Sequence, residues 1–484
     1  RDRGDHIYAR RATTAGWSGA ERITEEKADL LRAVLGEDAS GRIHVIWSER
    51  SGEDWNLFER RFDRGSWSRK TALTTGPGTN IHHRIAADSR GNLHLVWIAH
   101  RGGKSYLSHS RFSGEVWSPP QDISGPGAWS PDAAVDEKGN LYAVWDSYRS
   151  GNYDIYLRRI DSGGLLGPIQ QVTQSPRFQA HPSVAVDSLG RPWVAWDESG
   201  VNWGKDWTHE NPYRATTLYA DRKISLAVLD GGEWKQPTGD PGVSAPVYLR
   251  RYIQLPRIRF DSAGRLWMMF QSRSSVGANR EDYWANNGRW DAYVTSLSGD
   301  RWAPSVMLPE STCRLEAPFD LVRSVKGGMH LVWPTDNRPF MPAGFAAPTA
   351  GQYEVYMSRM VGDATAGPAE LESIAAASGP AAQPVAVHPD ENAEVDRIRS
   401  HRVSYGGKEL RILRGDFHRH TDISNDGAGD GSVEDFYRYM IDAAQMDTGI
   451  IGDHNMGGDL EYNWWRTEKS YDVYHIRDGF TPLF

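Results

Sequence analysis

Apolar and polar residues alternate in short runs along the first 375 positions, and the runs recur. The most constant stretch is Asp-x-x-Gly, five residues, then an aromatic. It occurs as Asp38, Gly41, Trp47; Asp88, Gly91, Trp97; Asp136, Gly139, Trp145; and Asp187, Gly190, Trp196. Asp261, Gly264, Phe270 continue it, and Ser324, Gly327, Trp333 form a last copy. Successive aromatics lie 50, 48, 51, 74 and 63 residues apart. Asp and Gly in this order predict a tight turn, after which a buried strand runs to the aromatic. Further alternating segments follow, such as Tyr106–Phe112, Tyr153–Arg159 and Tyr353–Arg359, each before a Gly-containing turn. Four strands per repeat of about 50 residues predict β-propeller blades. His6–Arg11 with Gly16-Trp17 matches the back half of a blade. The expectation is a mainly β fold of about seven blades over residues 1–375, six complete and one cut, in a chain truncated at both ends.

The periodicity then changes. Residues 361–389 are rich in Ala, Gly and Pro, so 376–400 is expected to be a linker ending in a helix over 390–400. A Gly406-Gly407 turn precedes Leu410, Ile412 and Leu413, which read as a buried strand. Ser432 and Asp435 form a capping-box pattern, and Val433, Phe436, Tyr437, Met440 and Ala444 recur at helical spacing. They predict a helix over 432–445. Thr448–Ile451 is a second short strand, made parallel to the first by the helical crossover.

This strand-helix-strand unit carries the strongest chemical pattern. Residues two apart on a strand share a face, so Asp416, His418 and His420 project together. Asp453 and His454 follow the next strand, at the carboxyl end where parallel-sheet enzymes place their chemistry. Imidazole and carboxylate donors suit Zn, Mn or Fe better than Mg or Ca.

Asp-Phe-His-Arg-His-Thr at 416–421, Ser424, Asp426-Gly427 and Gly-Asp-His-Asn at 452–455 resemble the opening of the polymerase and histidinol phosphatase (PHP) superfamily of metal-dependent hydrolases. The resemblance spans roughly residues 410–460. It departs from the family at Gly452, where Thr or Ser is usual. It implies that residues 401–484 begin a distorted α/β barrel holding two or three divalent metals. His418, His420, Asp426 and His454 would be ligands, Asp453 a catalytic ligand or the support of His454, and Asp416 a supporting carboxylate. A barrel of that kind needs about 200 residues, so the metal site is expected to be incomplete here.

Two features of the propeller also invite a role. Arg50, Arg101, Arg149, Arg273 and Arg338 recur after the aromatics, either ringing one face or securing each blade, the latter being favoured. Two long post-aromatic segments, 197–214 and 273–290, hold Trp203, Trp207 and Trp284, candidates for stacking on a sugar ring. With 20 Trp in 484 residues, most must be structural. The repeat is no sialidase Asp-box, in which the aromatic stands closer to the Gly.

A net charge of −8 argues against a general nucleic-acid binder. No apolar run reaches the roughly 18 residues of a membrane span. Cys313 is the single cysteine, which excludes intrachain disulfides and thiolate metal sites. A bacterial exported protein, periplasmic or secreted, fits a Trp-rich propeller, and the cytoplasm stays open. The sequence therefore leaves two expectations. One is a phosphoesterase-like hydrolase of small phosphoesters, its propeller recognising or gating the substrate. The other is a propeller scaffold that binds a glycan or a protein beside an inactive barrel.

Overall fold

The computed structural model describes residues 4–149, 151–201, 203, 222–250, 252–273, 290–312, 318–335, 354–362, 366–374, 389–423, 431–453 and 461–483. The chain is mainly β. Six blade-like antiparallel sheets follow one another, with innermost strands Leu30–Glu37, Thr79–Ala87, Ala128–Val135, Gln179–Val186, Ile253–Phe260 and Asp320–Arg323. Blades one to five have four strands, the outermost of blades one, two and five being split into two short pieces. Blade six has three strands among the described residues rather than the four expected. The strand Leu371–Ser373 instead returns to the outer edge of blade four, pairing Lys235 with Ser373. At the amino terminus, Tyr8–Ala9 pairs with Glu21–Arg22, and Ala12–Thr13 pairs with Gly16–Trp17. This half-blade packs Ile7 and Ala9 against the Trp47 cluster of blade one.

The recurring motif folds as its residues dictate. In each complete copy an Asp side-chain oxygen accepts the amides two and four residues on. For Asp136 these come from Lys138 at 3.0 Å and Asn140 at 2.8 Å. Asp38, Asp88, Asp187 and Asp261 repeat the arrangement. The glycine of each turn lies at positive φ, 82° at Gly139, a conformation that a Cβ would strain. Ser324 substitutes through its hydroxyl, which accepts the Lys326 amide. The strand that follows delivers Trp47, Trp97, Trp145, Trp196, Phe270 and Trp333 into the interior, each at most 6 % exposed.

Residues 402–483 build a smaller unit. Arg402–Tyr405 and Lys408–Arg411 form a hairpin through Gly406 and Gly407. Its expected burial is not found: Leu410, Ile412 and Leu413 are each about half exposed. The hairpin lies outside the sheet, and the residues of both its strands are exposed. Gly415–Arg419, Thr448–Ile451 and Thr481–Leu483 then make a three-stranded parallel sheet, as the crossover argument requires. Among the described residues three α-helices accompany them: α1 (Glu391–Ser400), α2 (Val433–Arg438) and α3 (Glu461–Val473). Ser432 caps α2 by accepting the Asp435 amide at 3.1 Å. The α-helix is shorter than the periodicity predicts, because Tyr439–Ala443 continue it as a π-type turn.

This unit does not stand apart. Ile423, Val433, Phe436, Tyr437, Met440, Tyr474 and Phe480 share one continuous core with Trp55, Ile81, Trp129, Trp145 and Tyr153 of the propeller. The apolar face of α2 is thus buried between the blades and this small parallel sheet.

Candidate functional site

The innermost strands of blades one to five share an irregularity. Each register slips by a bulge, and one residue of each bulge has positive φ: Arg32 47°, His82 52°, Ser130 43°, His181 55° and Leu255 55°. None is glycine, and each such conformation costs on the order of 1 kcal/mol. A strained position repeated in five blades means that the surrounding structure enforces it. All five residues line one cavity of about 530 Å³ at the centre of the ring of blades. Arg84 and Arg257, two residues beyond the bulges of blades two and five, line it as well, and Phe319 and Val355 come from blade six. Glu434 and Arg438 of α2, Trp465, Arg466 and Lys469 of α3, and Tyr474 complete the wall.

A buried ionic network holds the roof on the blades. Arg438 pairs with Asp146 at 2.5 Å and donates to the Ser130 hydroxyl at 3.1 Å. Asp435 meets His181 Nε2 at 3.1 Å and Arg222 at 3.5 Å, while Asp197 binds the other side of His181 at 3.0 Å and Arg222 at 2.5 Å. The Asp435 side chain is therefore committed to the propeller and does not close the capping box. The π-type turn aims Asp442 at Trp129 Nε1 (2.8 Å) and the Tyr153 hydroxyl (2.7 Å).

Burial opposes the charged form of His181, yet Asp197 and Asp435 outweigh it and hold the imidazolium up to about 10. The folded value exceeds the usual 6.5, so this contribution to stability is complete below pH 6.5 and is lost as pH rises towards 10. Denaturation midpoints are expected to fall across pH 7–10, and the slope should flatten in His181→Asn. An unchanged slope in that variant would refute the assignment. Burial acts the other way on Asp442, raising its carboxyl to about 6. His82 on the cavity wall is pushed well below 6.5 by burial and by Arg32, so it is neutral at pH 7.

The described residues that the sequence singled out lie elsewhere. His418 is exposed and His420 half-buried, their rings 5.0 Å apart. Asp416 accepts the His418 amide and pairs with Arg419 at 2.7 Å. Asp453 accepts the amide and hydroxyl of Thr421 at 2.5 and 2.6 Å, joining the ends of the two strands. Asp426 and His454 lie outside the described residues, as do Trp207 and Trp284. Among the described residues no group of three His, Cys, Asp or Glu side chains is placed to hold a metal. Trp203 is buried among Tyr148, Tyr153, Phe178 and Tyr439, with its Nε1 donating to Asn152, so its ring serves packing rather than sugar stacking. Of the recurrent arginines, Arg50 pairs with Asp472 of α3, Arg101 with Asp122, and Arg149 covers the Tyr156 ring. These three are fastenings and do not form an anion-attracting ring; the side chains of Arg273 and Arg338 lie outside the described residues.

The cavity was missed although the repeat encodes it. Counting six residues back from the first residue of each turn gives Arg32, His82, Ser130, His181, Leu255 and Pro318, all on its wall. In blades three, four and five a Pro follows that position, at 131, 182 and 256, which marks an irregular strand.

No family model matches the chain, and no curated protein matches it. Among solved structures it is similar to a family PL25 ulvan lyase bound to a glucuronate–sulfated-rhamnose saccharide, at TM-score 0.45 and 12 % identity, covering 75 % of this chain and 87 % of that one. It is also similar to the Penicillium chrysogenum α-L-arabinanase complexed with arabinobiose, at TM-score 0.39 and 11 % identity, covering 68 % and 93 %. A Dyadobacter fermentans protein of unknown function gives TM-score 0.39 and 12 % identity over 58 % and 79 %. Scores at this level carry no argument about activity. The resemblance to the PHP superfamily is nonetheless overturned. No family model supports it, and the described part of residues 402–483 is a small parallel sheet with helices docked on a propeller. The barrel and phosphoesterase expectations fall with it; of the four expected metal ligands, Asp426 and His454 lie outside the described residues. No helix among the described residues is long and apolar enough to cross a membrane.

Proposed function

We propose that this chain is a glycan-recognition propeller and that the central cavity is its binding site. One observation carries the reading: strained bulges of five blades converge on a single cavity, roofed by α2 and α3. Binding sites with strained backbone on a rigid scaffold are common because strain persists only where structure over-determines it. The wall alternates aromatic and apolar surface (Trp129, Phe319, Trp465, Tyr474) with polar groups (Ser130, His82, Arg84), the mixture a sugar ring requires. A volume of about 530 Å³ accommodates a short saccharide. A protein partner is disfavoured, since a roofed cavity admits a small ligand or a chain end rather than a flat surface.

Val355 offers a clean test because it lines the cavity while remaining 72 % exposed. Val355→Trp should fill the space without disturbing a core. Screening the full chain on a glycan array should reveal a ligand whose binding falls at least tenfold in this variant, with an unchanged melting temperature. Absence of any glycan ligand, or equal binding by the variant, would refute the reading.

A further inference from the structure

Arg84 projects from blade two and Arg257 from blade five, two non-adjacent blades, onto one cavity wall. Among the described residues neither has a carboxylate within 4 Å, and Arg257 makes only a 3.5 Å contact to the Pro182 carbonyl. Every other cation on the wall that belongs to the roof is neutralised. Arg438 has Asp146, Arg466 has Glu434, and Lys469 has Asp5 and Asp29. The acids near the two arginines are engaged elsewhere. Asp132 is buried on Arg259, the Ser183 hydroxyl and the Val184 amide, and Glu354 accepts from the Tyr356 hydroxyl.

Asp132 and Asp320 attract Arg257 through space without contacting it, so the two guanidiniums share a partly desolvated cavity with only distant counter-charge, an arrangement that an arriving anion relieves. Burial and Arg84 together push Arg257 down to about 9, and a bound oxyanion would reverse that pressure. The planar fork of each guanidinium matches a carboxylate or sulfate ester with two parallel hydrogen bonds. Trp129, Phe319, Trp465 and Tyr474 on the same wall offer aromatic surface for the carbon face of a sugar ring, while the roof cations beside them are already paired.

We infer that the cavity selects an acidic saccharide, one whose carboxylate or sulfate oxyanion is held between Arg84 and Arg257. The inference rests on the glycan reading and narrows it. Calorimetry on the full chain would use a uronic-acid disaccharide, its carboxyl-reduced neutral counterpart and a sulfated disaccharide. The acidic sugars should bind at least tenfold more tightly than the reduced one, and more weakly as salt rises. Arg84→Met and Arg257→Met should each lose roughly tenfold or more for the acidic sugars and markedly less for the neutral one. Arg84→Lys, which keeps the charge but loses the fork, should fall between, and melting temperatures confirm that each variant folds. If the neutral sugar binds as tightly, and Val355→Trp still blocks it, the acidic preference is wrong while the glycan site stands. If no saccharide of any charge binds, both readings fail.

Discussion

Replacing Arg438 by methionine is expected to destabilise the chain by about 3–5 kcal/mol, the usual range for removing one partner of a buried ion pair. The guanidinium is 3 % exposed and sits between Asp146, fully buried, and Asp435, 1 % exposed. It also covers the rings of Tyr153 and Trp129, at 4.9 and 5.9 Å. Without it two carboxylates stay buried with less compensation, and α2 loses its central tie to blade three. Urea denaturation should show the lower midpoint, and limited proteolysis should release the carboxy-terminal unit first. Adding Asp146→Asn should recover part of the loss, because it removes one stranded charge. A midpoint within experimental error of the parent would mean that the apolar contacts alone hold the roof.

Truncating Trp145 to alanine should cost a comparable 3–5 kcal/mol, from lost burial plus a cavity that the rigid blade cannot close. The ring is fully buried and stacked on Tyr156 at 6.0 Å. Phenylalanine should cost much less, for a reason specific to this position. The Trp145 Nε1 is buried without a hydrogen-bond partner among the described residues, so its removal relieves an unpaid desolvation. Trp97, whose Nε1 donates to Asn80 at 2.8 Å, lacks that relief and should tolerate phenylalanine less well. Paired denaturation curves for the two Phe variants would decide it. Equal losses would show that the indole N–H is immaterial at both sites.

The contrast between these two tryptophans illustrates how legible the chain is. The blade repeat could be read because Asp-x-x-Gly is a local device: one side chain accepts two amides of its own turn, and glycine supplies the positive φ. The aromatic nine residues beyond Asp is buried for an equally local reason, since a strand leaving that turn must enter the sheet. The parallel order of Gly415–Arg419 and Thr448–Ile451 followed likewise from the length of their crossover. The site was less legible. His418, His420 and Asp453 form a conspicuous pattern, and Asp453 accepts from Thr421, while Asp426 and His454, the other expected ligands, lie outside the described residues. Arg84 and Arg257 attract no notice in the sequence, lying 173 positions apart on separate repeats.

What the sequence determined by itself was therefore everything that depends on nearest neighbours: the turns, the alternation, the buried aromatics, the cap at Ser432 and the strand-helix-strand order. Only the tertiary structure decided which residues meet. Closing blades into a ring brings the sixth residue before every turn to a common centre, a convergence that no window of sequence contains. Docking α2 there turns Asp435 from a local cap into the partner of His181, 254 positions away. Long-range pairing of buried charge depends on the desolvation that the whole assembly creates, and that quantity has no counterpart in an isolated segment.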